Sequence, residues 1–229
     1  MANWFITGVS SGFGRALAEA VLAKGHKVIG TVRQEAAKAP FEALSPGRAT
    51  AVVLDVTDEA DVHTVVDEVL EHHGRIDVLV NNAGYGLEGA VEEVSLDQVR
   101  DQFEVNVFGP VAVMQAVLPH MRKQRSGHII NVTSMGGLTA FPGVGIYNGS
   151  KFALVGLSEG LRSEVLRDGI FVTTVCSSFE IIVIDMPVIS IFSRSLKSGQ
   201  RAKSRSNSPM RTDSAFLVSE AITGTATRD

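Results

Sequence analysis

The stretch Thr7-Gly8-Val9-Ser10-Ser11-Gly12-Phe13-Gly14 decides the fold, because it places a glycine-rich turn between an apolar strand and an amphipathic helix. Residues 2–6 suit a short buried strand, and Phe13, Leu17 and Val21 recur at helical spacing along one face. At such a turn, unpaired backbone N–H groups and the positive end of the helix dipole converge on one point. The sequence therefore predicts a phosphate-binding turn.

The spacing of the glycines alone does not settle this prediction. It is Gly-x-x-x-Gly-x-Gly, whereas the common dinucleotide-binding pattern is G-x-G-x-x-G. Gly8 would permit a tight turn, Gly12 would let the backbone approach a pyrophosphate, and Gly14 would let the helix pack close to the sheet. A plain turn between a strand and a helix could carry the same glycines, so the residues downstream must decide.

Length, charge and cysteine content restrict the class of protein. The 229 residues suit a single doubly wound α/β unit, and a net charge of −4 disfavours a nucleic-acid binder and favours a small-molecule partner. The single cysteine, Cys176, can form neither an internal disulfide nor a cysteine metal site, and the six histidines show no ligand spacing. Neither a leader nor a long apolar run is evident. We expect a cytoplasmic protein without a bound metal or a membrane span.

The second predicted strand, residues 27–32, completes a βαβ unit after a helix that ends near Gly25. Near the end of this strand, NAD-binding proteins often carry an acid that holds the ribose 2′-hydroxyl. Here the residue is Thr31, and Arg33 follows, which favours NADP while leaving NAD possible. Arg15, at the start of the first helix, could add a second cation. Alternatively, Arg33 is a solvated loop charge.

The third predicted strand, residues 49–54, ends at Asp55, on the edge where open α/β sheets bind ligands. Asp55 could accept a hydrogen bond from an adenine amino group. As a plain turn residue it would look the same from the sequence. Thr57 or Asp58 could cap the helix that follows.

A polar turn and a long helix follow the fourth predicted strand, residues 76–80. The turn is Asn81-Asn82-Ala83-Gly84, and the helix extends from about residue 96 to residue 122. Pro110 should disturb this helix, because proline cannot donate to the carbonyl four residues earlier, that of Asn106. The freed carbonyl could hold an ordered water, or the helix could simply kink there.

The strongest chemical signal follows the fifth predicted strand, residues 127–132, which leads to Ser134. In a helix predicted over residues 146–167, Tyr147 and Lys151 are four residues apart and share one face. A free phenol ionises near pH 10, and a neighbouring ammonium favours its ionised form. Tyr147 could then move the proton in carbonyl reduction or alcohol oxidation while Ser134 binds the carbonyl oxygen. By itself, the pair could equally be a surface pair on a helix.

The motifs together resemble the classical short-chain dehydrogenase/reductase family. The resemblance is carried, in the family's order and spacing over residues 2–175, by TGVSSGFG at 7–14, Asp55, NNAG at 81–84, Asn106, Ser134 and YNGSK at 147–151. It implies a Rossmann-like, doubly wound parallel sheet in a three-layer α/β/α arrangement. It also implies a homodimer or homotetramer that assembles through the helices around residues 97–122 and 147–167.

The resemblance also implies roles for individual residues. In the family, the tyrosine is the acid/base, the serine orients the substrate, the lysine holds the nicotinamide ribose and assists the tyrosine, and the asparagine supports a water in a proton relay. The catalytic candidates are therefore Asn106, Ser134, Tyr147 and Lys151. The cofactor-binding candidates are Gly8, Ser10, Ser11, Gly12, Phe13, Gly14, Arg33, Asp55, Val56, Asn82, Ala83, Gly84, Tyr147 and Lys151.

The sequence departs from the family pattern after the sixth predicted strand, residues 170–175. Members of the family usually continue with a Pro-Gly turn and a threonine, whereas this chain continues with residues 176–180, Cys-Ser-Ser-Phe-Glu. Residues 190–211 are rich in serine and basic residues without helical periodicity, which predicts a mobile segment. One hypothesis is a shift of the reading frame near residue 176. We predict a dinucleotide-binding and catalytic domain over 1–175 and an atypical C-terminal segment over 176–229.

Three functions remain open at this point. The first is an NADP-dependent oxidoreductase that acts on a carbonyl or a secondary alcohol. The second is a catalytically impaired dinucleotide-binding or sensor protein, which would follow if the altered segment could not close a substrate pocket. The third is a structural interaction module. The identity of the substrate lies beyond what the sequence indicates.

Overall fold

A computed structural model describes residues 1–177 and 182–184 of the chain. Its strands are β1 (Asn3–Ile6), β2 (Lys27–Val32), β3 (Ala49–Val53), β4 (Val78–Asn81), β5 (Gly127–Ser134), β6 (Ile170–Ser177) and β7 (Ile182–Ile184). Its α-helices are α1 (Gly12–Ala23), α2 (Lys38–Glu42), α3 (Glu59–His73), α4 (Leu96–Phe103), α5 (Gly109–Gln124) and α6 (Gly145–Val165).

The described strands form one sheet in the order β3-β2-β1-β4-β5-β6-β7. The first six are parallel, and β7 pairs with β6 in the antiparallel direction. The strand order reverses between β1 and β4, and crevices of open α/β sheets form at such a switch point. The predicted doubly wound α/β fold is confirmed.

Two hydrophobic clusters cover the two faces of the sheet. In β1, Phe5 packs into the cluster that contains α3 and α5, whereas Trp4 and Ile6 pack into the cluster that contains α1. This alternation follows from the strand geometry, in which successive side chains point to opposite faces. Helix α3 buries one apolar face against the sheet, at Val62, Val65, Val66 and Val69. The result is the expected three-layer α/β/α arrangement.

Some element boundaries differ from the sequence-based expectation. The fourth strand begins at Val78 and includes Asn81, so the polar turn starts inside the strand. The sixth strand continues two residues beyond residue 175, and β7 then pairs with it. Asp58 caps α3 by accepting from the backbone N–H of Asp61. The predicted mobile segment over 190–211 lies outside the described residues.

A π-helical turn, Glu104–Phe108, interrupts the predicted long helix and separates α4 from α5. The backbone N–H of Gly109 donates to the carbonyl of Glu104, five residues earlier. Pro110 follows and has no N–H to offer the carbonyl of Asn106, so the usual helical bond cannot form there. The disturbance that the proline predicts is therefore present, as a widened turn.

Candidate active site

In the turn between β1 and α1, the backbone N–H groups of Gly8 and Val9 donate to Thr31, whereas no hydrogen bond within the described residues engages the N–H groups of residues 10–14. Ser11 caps α1 without a side-chain hydrogen bond, and the first turn of the helix has no acidic residue. Gly12 has a φ of +61°, which favours glycine, and a Cβ added there would meet nothing within 4 Å. A Cβ at Gly14 would lie 2.3 Å from Asn82 Nδ2 and from the Gly8 carbonyl oxygen. The turn therefore offers a free helix terminus and open space for an anion.

Asn82 and Thr7 hold this turn against the end of β4. The Asn82 Nδ2 donates to the carbonyls of Thr7 at 2.9 Å and of Gly8 at 3.0 Å. In return, the backbone N–H groups of Asn82 and Ala83 both donate to Thr7 Oγ1 at 3.0 Å. The two polar motifs at 7–14 and 81–84 are thus one hydrogen-bonded unit at the switch point of the sheet.

A cleft of about 820 Å³ opens from this unit. All of the candidate cofactor-binding residues line it: Gly8, Ser10, Ser11, Gly12, Phe13, Gly14, Arg33, Asp55, Val56, Asn82, Ala83, Gly84, Tyr147 and Lys151. The lining also contains residues that were not among the candidates, namely Thr31, Val32, Leu54, Thr57, Tyr85, Gly86, Asp101, Glu104, Val105, Val132 and Thr133. The cleft therefore runs continuously from the end of β2 to α6.

The end of the cleft near β2 carries an available cation. Arg33 is exposed, and among the described residues no hydrogen bond or ion pair engages its side chain. Thr31 is buried, and its Oγ1 accepts from the backbone N–H of Gly8 at 3.0 Å, so it secures the glycine-rich turn. Arg15 is held elsewhere, by Glu19 at 2.8 Å and by the Pro40 carbonyl, and it is not among the residues that line the cleft.

Asp55 lines the cleft and also stabilises its own turn. Its Oδ1 accepts from the backbone N–H of Thr57 at 3.0 Å and from the Thr57 hydroxyl at 2.8 Å. This is the turn role that the sequence left open. The same carboxylate stands at the carboxyl end of β3, so the turn role and a contact with a ligand are compatible.

Tyr147 and Lys151 lie at the other end of the cleft, on α6. The Lys151 side chain is almost completely buried, with 6 % of the residue exposed, and its Nζ donates to the Val132 carbonyl at 3.2 Å. The same Nζ lies 5.8 Å from the centre of the Tyr147 ring. Burial lowers the pKa of Lys151 from 10.5 to about 8, because the charged form loses its hydration.

Ser134 ends β5 beside this pair. Its Oγ accepts from the backbone N–H of Gly136 at 3.2 Å, and a Cβ on Gly136 would lie 3.4 Å from Tyr147 Cε1. The short turn that Ser134 begins therefore passes close to the tyrosine ring. Ser134 itself is half-buried and is not among the residues that line the cleft.

Asn106 lies behind the cleft wall and is completely buried. Its Nδ2 donates to the Tyr85 carbonyl at 2.9 Å and to Ser150 Oγ at 3.1 Å, and its Oδ1 accepts from the Tyr85 N–H at 3.1 Å. Both the oxygen and the nitrogen of this side-chain amide are therefore hydrogen-bonded to other protein groups. Gln102, which sequence reasoning missed, also donates to the Tyr85 carbonyl, at 2.9 Å.

The described residues contain no group of three or more histidine, cysteine, aspartate or glutamate side chains that could hold a metal ion. Among the helices of the same part of the chain, none combines the length and the apolar character that a membrane span requires.

Known proteins share both this sequence pattern and this geometry. The sequence model of a family described as short chain dehydrogenase matches residues 3–180. The chain belongs to the short chain dehydrogenase family. A 3-ketodihydrosphingosine reductase from Bacteroides thetaiotaomicron is 44% identical over 160 residues, which are 70% of this chain and 57% of that relative.

Solved structures of similar proteins have the same fold. A short-chain dehydrogenase from Streptomyces avermitilis has a TM-score of 0.74 at 48% identity, over 76% of this chain and 64% of that one. ElxO with NADP bound has a TM-score of 0.74 at 32% identity, over 76% of this chain and 72% of that one. The chain thus spans less than two thirds of the length of the first two of these three proteins.

Proposed function

We propose that the protein is an NADP-dependent oxidoreductase that interconverts a carbonyl compound and a secondary alcohol. The observation that carries the proposal is the buried Lys151 ammonium beside the Tyr147 ring, in a cleft that begins at the glycine-rich turn. The pair places a phenol, which can donate or accept a proton, beside a cation that can hold a polar ligand in the cleft.

The chain has the groups that a dinucleotide needs. The open N-terminus of α1 and the free space beside Gly12 fit a pyrophosphate, which the backbone N–H groups of residues 10–14 would hold. Asp55 would face the adenine, and Lys151 and Tyr147 would hold the nicotinamide ribose. When bound, the nicotinamide supplies or accepts the hydride.

The preference for NADP rests on Arg33. Its guanidinium is exposed at the cleft, and the described residues supply no acid that would neutralise it. A guanidinium can bind a phosphate through two parallel hydrogen bonds, so a ribose 2′-phosphate would add affinity there. The similar protein ElxO has been solved with NADP bound, which supports the same preference for this chain.

The proton transfer is assigned to Tyr147. In the reducing direction, the Tyr147 hydroxyl gives its proton to the carbonyl oxygen of the substrate, and in the oxidising direction the phenolate takes a proton from the alcohol. Lys151 stabilises the phenolate through its charge. Ser134 donates a hydrogen bond to the substrate oxygen and orients it. The carbonyl of Asn106, without a donor from Pro110, can hold a water that brings a proton to Tyr147 from solvent after reduction and carries one away after oxidation.

The proposal is tested by following nicotinamide fluorescence with purified protein, first for binding and then during a screen of ketones and aldehydes. We expect NADPH to bind more tightly than NADH and at least one carbonyl compound to be reduced. If neither cofactor bound to the folded protein, the proposal would be wrong.

A second candidate is a dinucleotide-binding protein without turnover. The match to the family ends at residue 180, so the family pattern does not extend into the segment that would cover a substrate. The same assay separates the two functions, since this candidate predicts cofactor binding together with no oxidation of NADPH by any carbonyl compound in the screen.

A further inference from the structure

Gln102 is a polar side chain on α4 that is completely buried. Its Nε2 donates to the carbonyl oxygen of Tyr85 at 2.9 Å, while its Oε1 has no hydrogen-bond partner among the described residues. Burying an amide costs free energy unless its groups are paired. The buried Oε1 is therefore a cost to stability, which suggests that the hydrogen bond donated by Nε2 has a role.

Gln102 shares its target with Asn106. The Tyr85 carbonyl also accepts from Asn106 Nδ2 at 2.9 Å, and the Tyr85 N–H donates to Asn106 Oδ1 at 3.1 Å. Gln102 lies on α4 and Asn106 in the π-helical turn that follows, and both side-chain amides converge on the same carbonyl. The two amides together satisfy both lone pairs of the carbonyl and the N–H of one backbone position.

This backbone position forms the cleft wall that faces Tyr147. The next residue, Gly86, is so close that a Cβ placed on it would lie 3.8 Å from Tyr147 Cδ2. From the other side, Asn106 donates to Ser150 Oγ at 3.1 Å, and that hydroxyl donates to the Tyr147 carbonyl at 2.7 Å. A displacement of Tyr85 would therefore affect the position of Tyr147 both through Gly86 and through the hydrogen bonds from Asn106 to Ser150 and on to Tyr147.

We propose that Gln102 is a positioning residue, which fixes the wall formed by Tyr85 and Gly86, and the amide of Asn106, relative to Tyr147. Asn106 Nδ2 divides its two hydrogens between Tyr85 and Ser150, so it cannot replace a lost donor from Gln102. The effect of Gln102 on turnover rests on the function proposed above. Its effect on the wall does not, and this allows the two to be tested separately.

The first test is the hydrogen exchange of backbone amides, measured by mass spectrometry on the peptide that contains Tyr85 and Gly86. Gln102→Met keeps the volume of the side chain and removes the donor. We expect exchange in this peptide to rise about fivefold, as for the loss of one hydrogen bond. Gln102→Leu, a second apolar replacement, should give the same result.

Gln124→Met is the matched control. The Gln124 Nε2 also donates to backbone carbonyls, those of Ile76 at 3.1 Å and Ser126 at 3.2 Å, but away from the cleft lining. This variant should leave exchange in the Tyr85 peptide unchanged. Unaltered exchange in both Gln102 variants would overturn the proposal, and so would a uniform rise across all peptides, because that would indicate only a general loss of stability.

The second test is kinetic. We expect Gln102→Met to lower kcat for carbonyl reduction about tenfold, because misplacement by a fraction of an ångström disturbs the reacting geometry. The KM for NADPH should change less than about twofold, since the hydrogen bond that Gln102 donates is to Tyr85 and not to the glycine-rich turn. An unchanged kcat together with a loosened wall would overturn the positioning role. If the wild-type protein showed no turnover, the proposed function would fail, and the exchange experiment alone would decide whether Gln102 fixes the wall.

Discussion

In the proposed mechanism, the chemistry of the cleft depends on Lys151. Its ammonium is almost fully removed from water, and the Val132 carbonyl at 3.2 Å is the one hydrogen-bond acceptor that the described residues provide. Such a position is unfavourable for a charge, as the lowered pKa of about 8 reflects. This unfavourable burial places the ammonium 5.8 Å from the centre of the Tyr147 ring.

The stability of the protein should therefore depend on the charge of Lys151. The folded pKa is about 8 and the ordinary value is 10.5, so between these two pH values the unfolded chain binds more protons. Lys151 is then unfavourable for folding below about pH 8, and this cost disappears as the pH rises towards 10.5. In chemical denaturation, Lys151→Met should be more stable than the wild type at neutral pH, and the difference should shrink by about 3 kcal/mol over that window. A difference that did not change with pH would contradict the buried charge.

Arg33 should decide the choice between the two nicotinamide cofactors. Arg33→Asp removes the cation and adds an acid that can accept from a ribose 2′-hydroxyl but repels a 2′-phosphate. We expect the ratio of NADPH to NADH affinity to fall at least about tenfold, measured by fluorescence titration. Arg15→Gln is the control, since Arg15 is bound to Glu19, and it should leave the ratio unchanged. An equal ratio in Arg33→Asp and the wild type would refute the role of Arg33.

At the scale of elements, the turn from β1 into α1 and the end of β4 act as one unit. Asn82 reaches across from β4 to two carbonyls of the turn, and it can do so only because Gly14 has no side chain in its path. The close packing of these elements is what brings the start of α1 to the cleft.

Gly14→Ala should break this unit. The added Cβ would lie 2.3 Å from a backbone oxygen and from Asn82 Nδ2, so the backbone has to move. We expect a loss of about 2 kcal/mol or more in the free energy of unfolding and a large loss of cofactor affinity. Gly160→Ala is the matched change in α6, where a Cβ meets nothing within 4 Å, and it should stabilise the protein by up to about 1 kcal/mol. Equal effects of the two substitutions in denaturation would contradict the packing described here.

The sequence predicted most of the elements and the fold class, because strands and glycine turns depend on local patterns. The strand Lys27–Val32 was predicted with its observed bounds, and Pro110 indicated the disturbance between α4 and α5. The form of that disturbance, a π-helical turn, depends on packing between the elements and could not be read from a local pattern.

The roles of several side chains also escaped prediction. The burial of Gln102 and its contact with Tyr85 join residues from separate elements. Thr31 was considered only for its place beside a ribose, whereas its hydroxyl secures Gly8. Such contacts arise from the tertiary structure, so periodicity carries no signal for them. The motifs, in contrast, identified cofactor-binding candidates that all line the cleft, although Ser134 and Asn106 do not and other lining residues were not among the candidates.

At the scale of the whole molecule, the cleft forms where the strand order reverses, so motifs that are far apart in the chain meet there. Helix α6 leaves the large apolar side chains of Phe152 and Leu157 exposed, and the π-helical turn before α5 leaves Phe108 exposed. We propose that copies of the chain assemble through these surfaces as a homodimer or homotetramer, which buries them.

The central claim, that Tyr147 transfers the proton in this cleft, is tested most directly by Tyr147→Phe. The change removes one hydroxyl and keeps the ring that packs beside Gly86. With a carbonyl compound that the wild type reduces, we predict that kcat falls at least about 100-fold, while NADPH binding, followed by fluorescence, changes less than about twofold. Turnover close to that of the wild type in Tyr147→Phe would contradict the account.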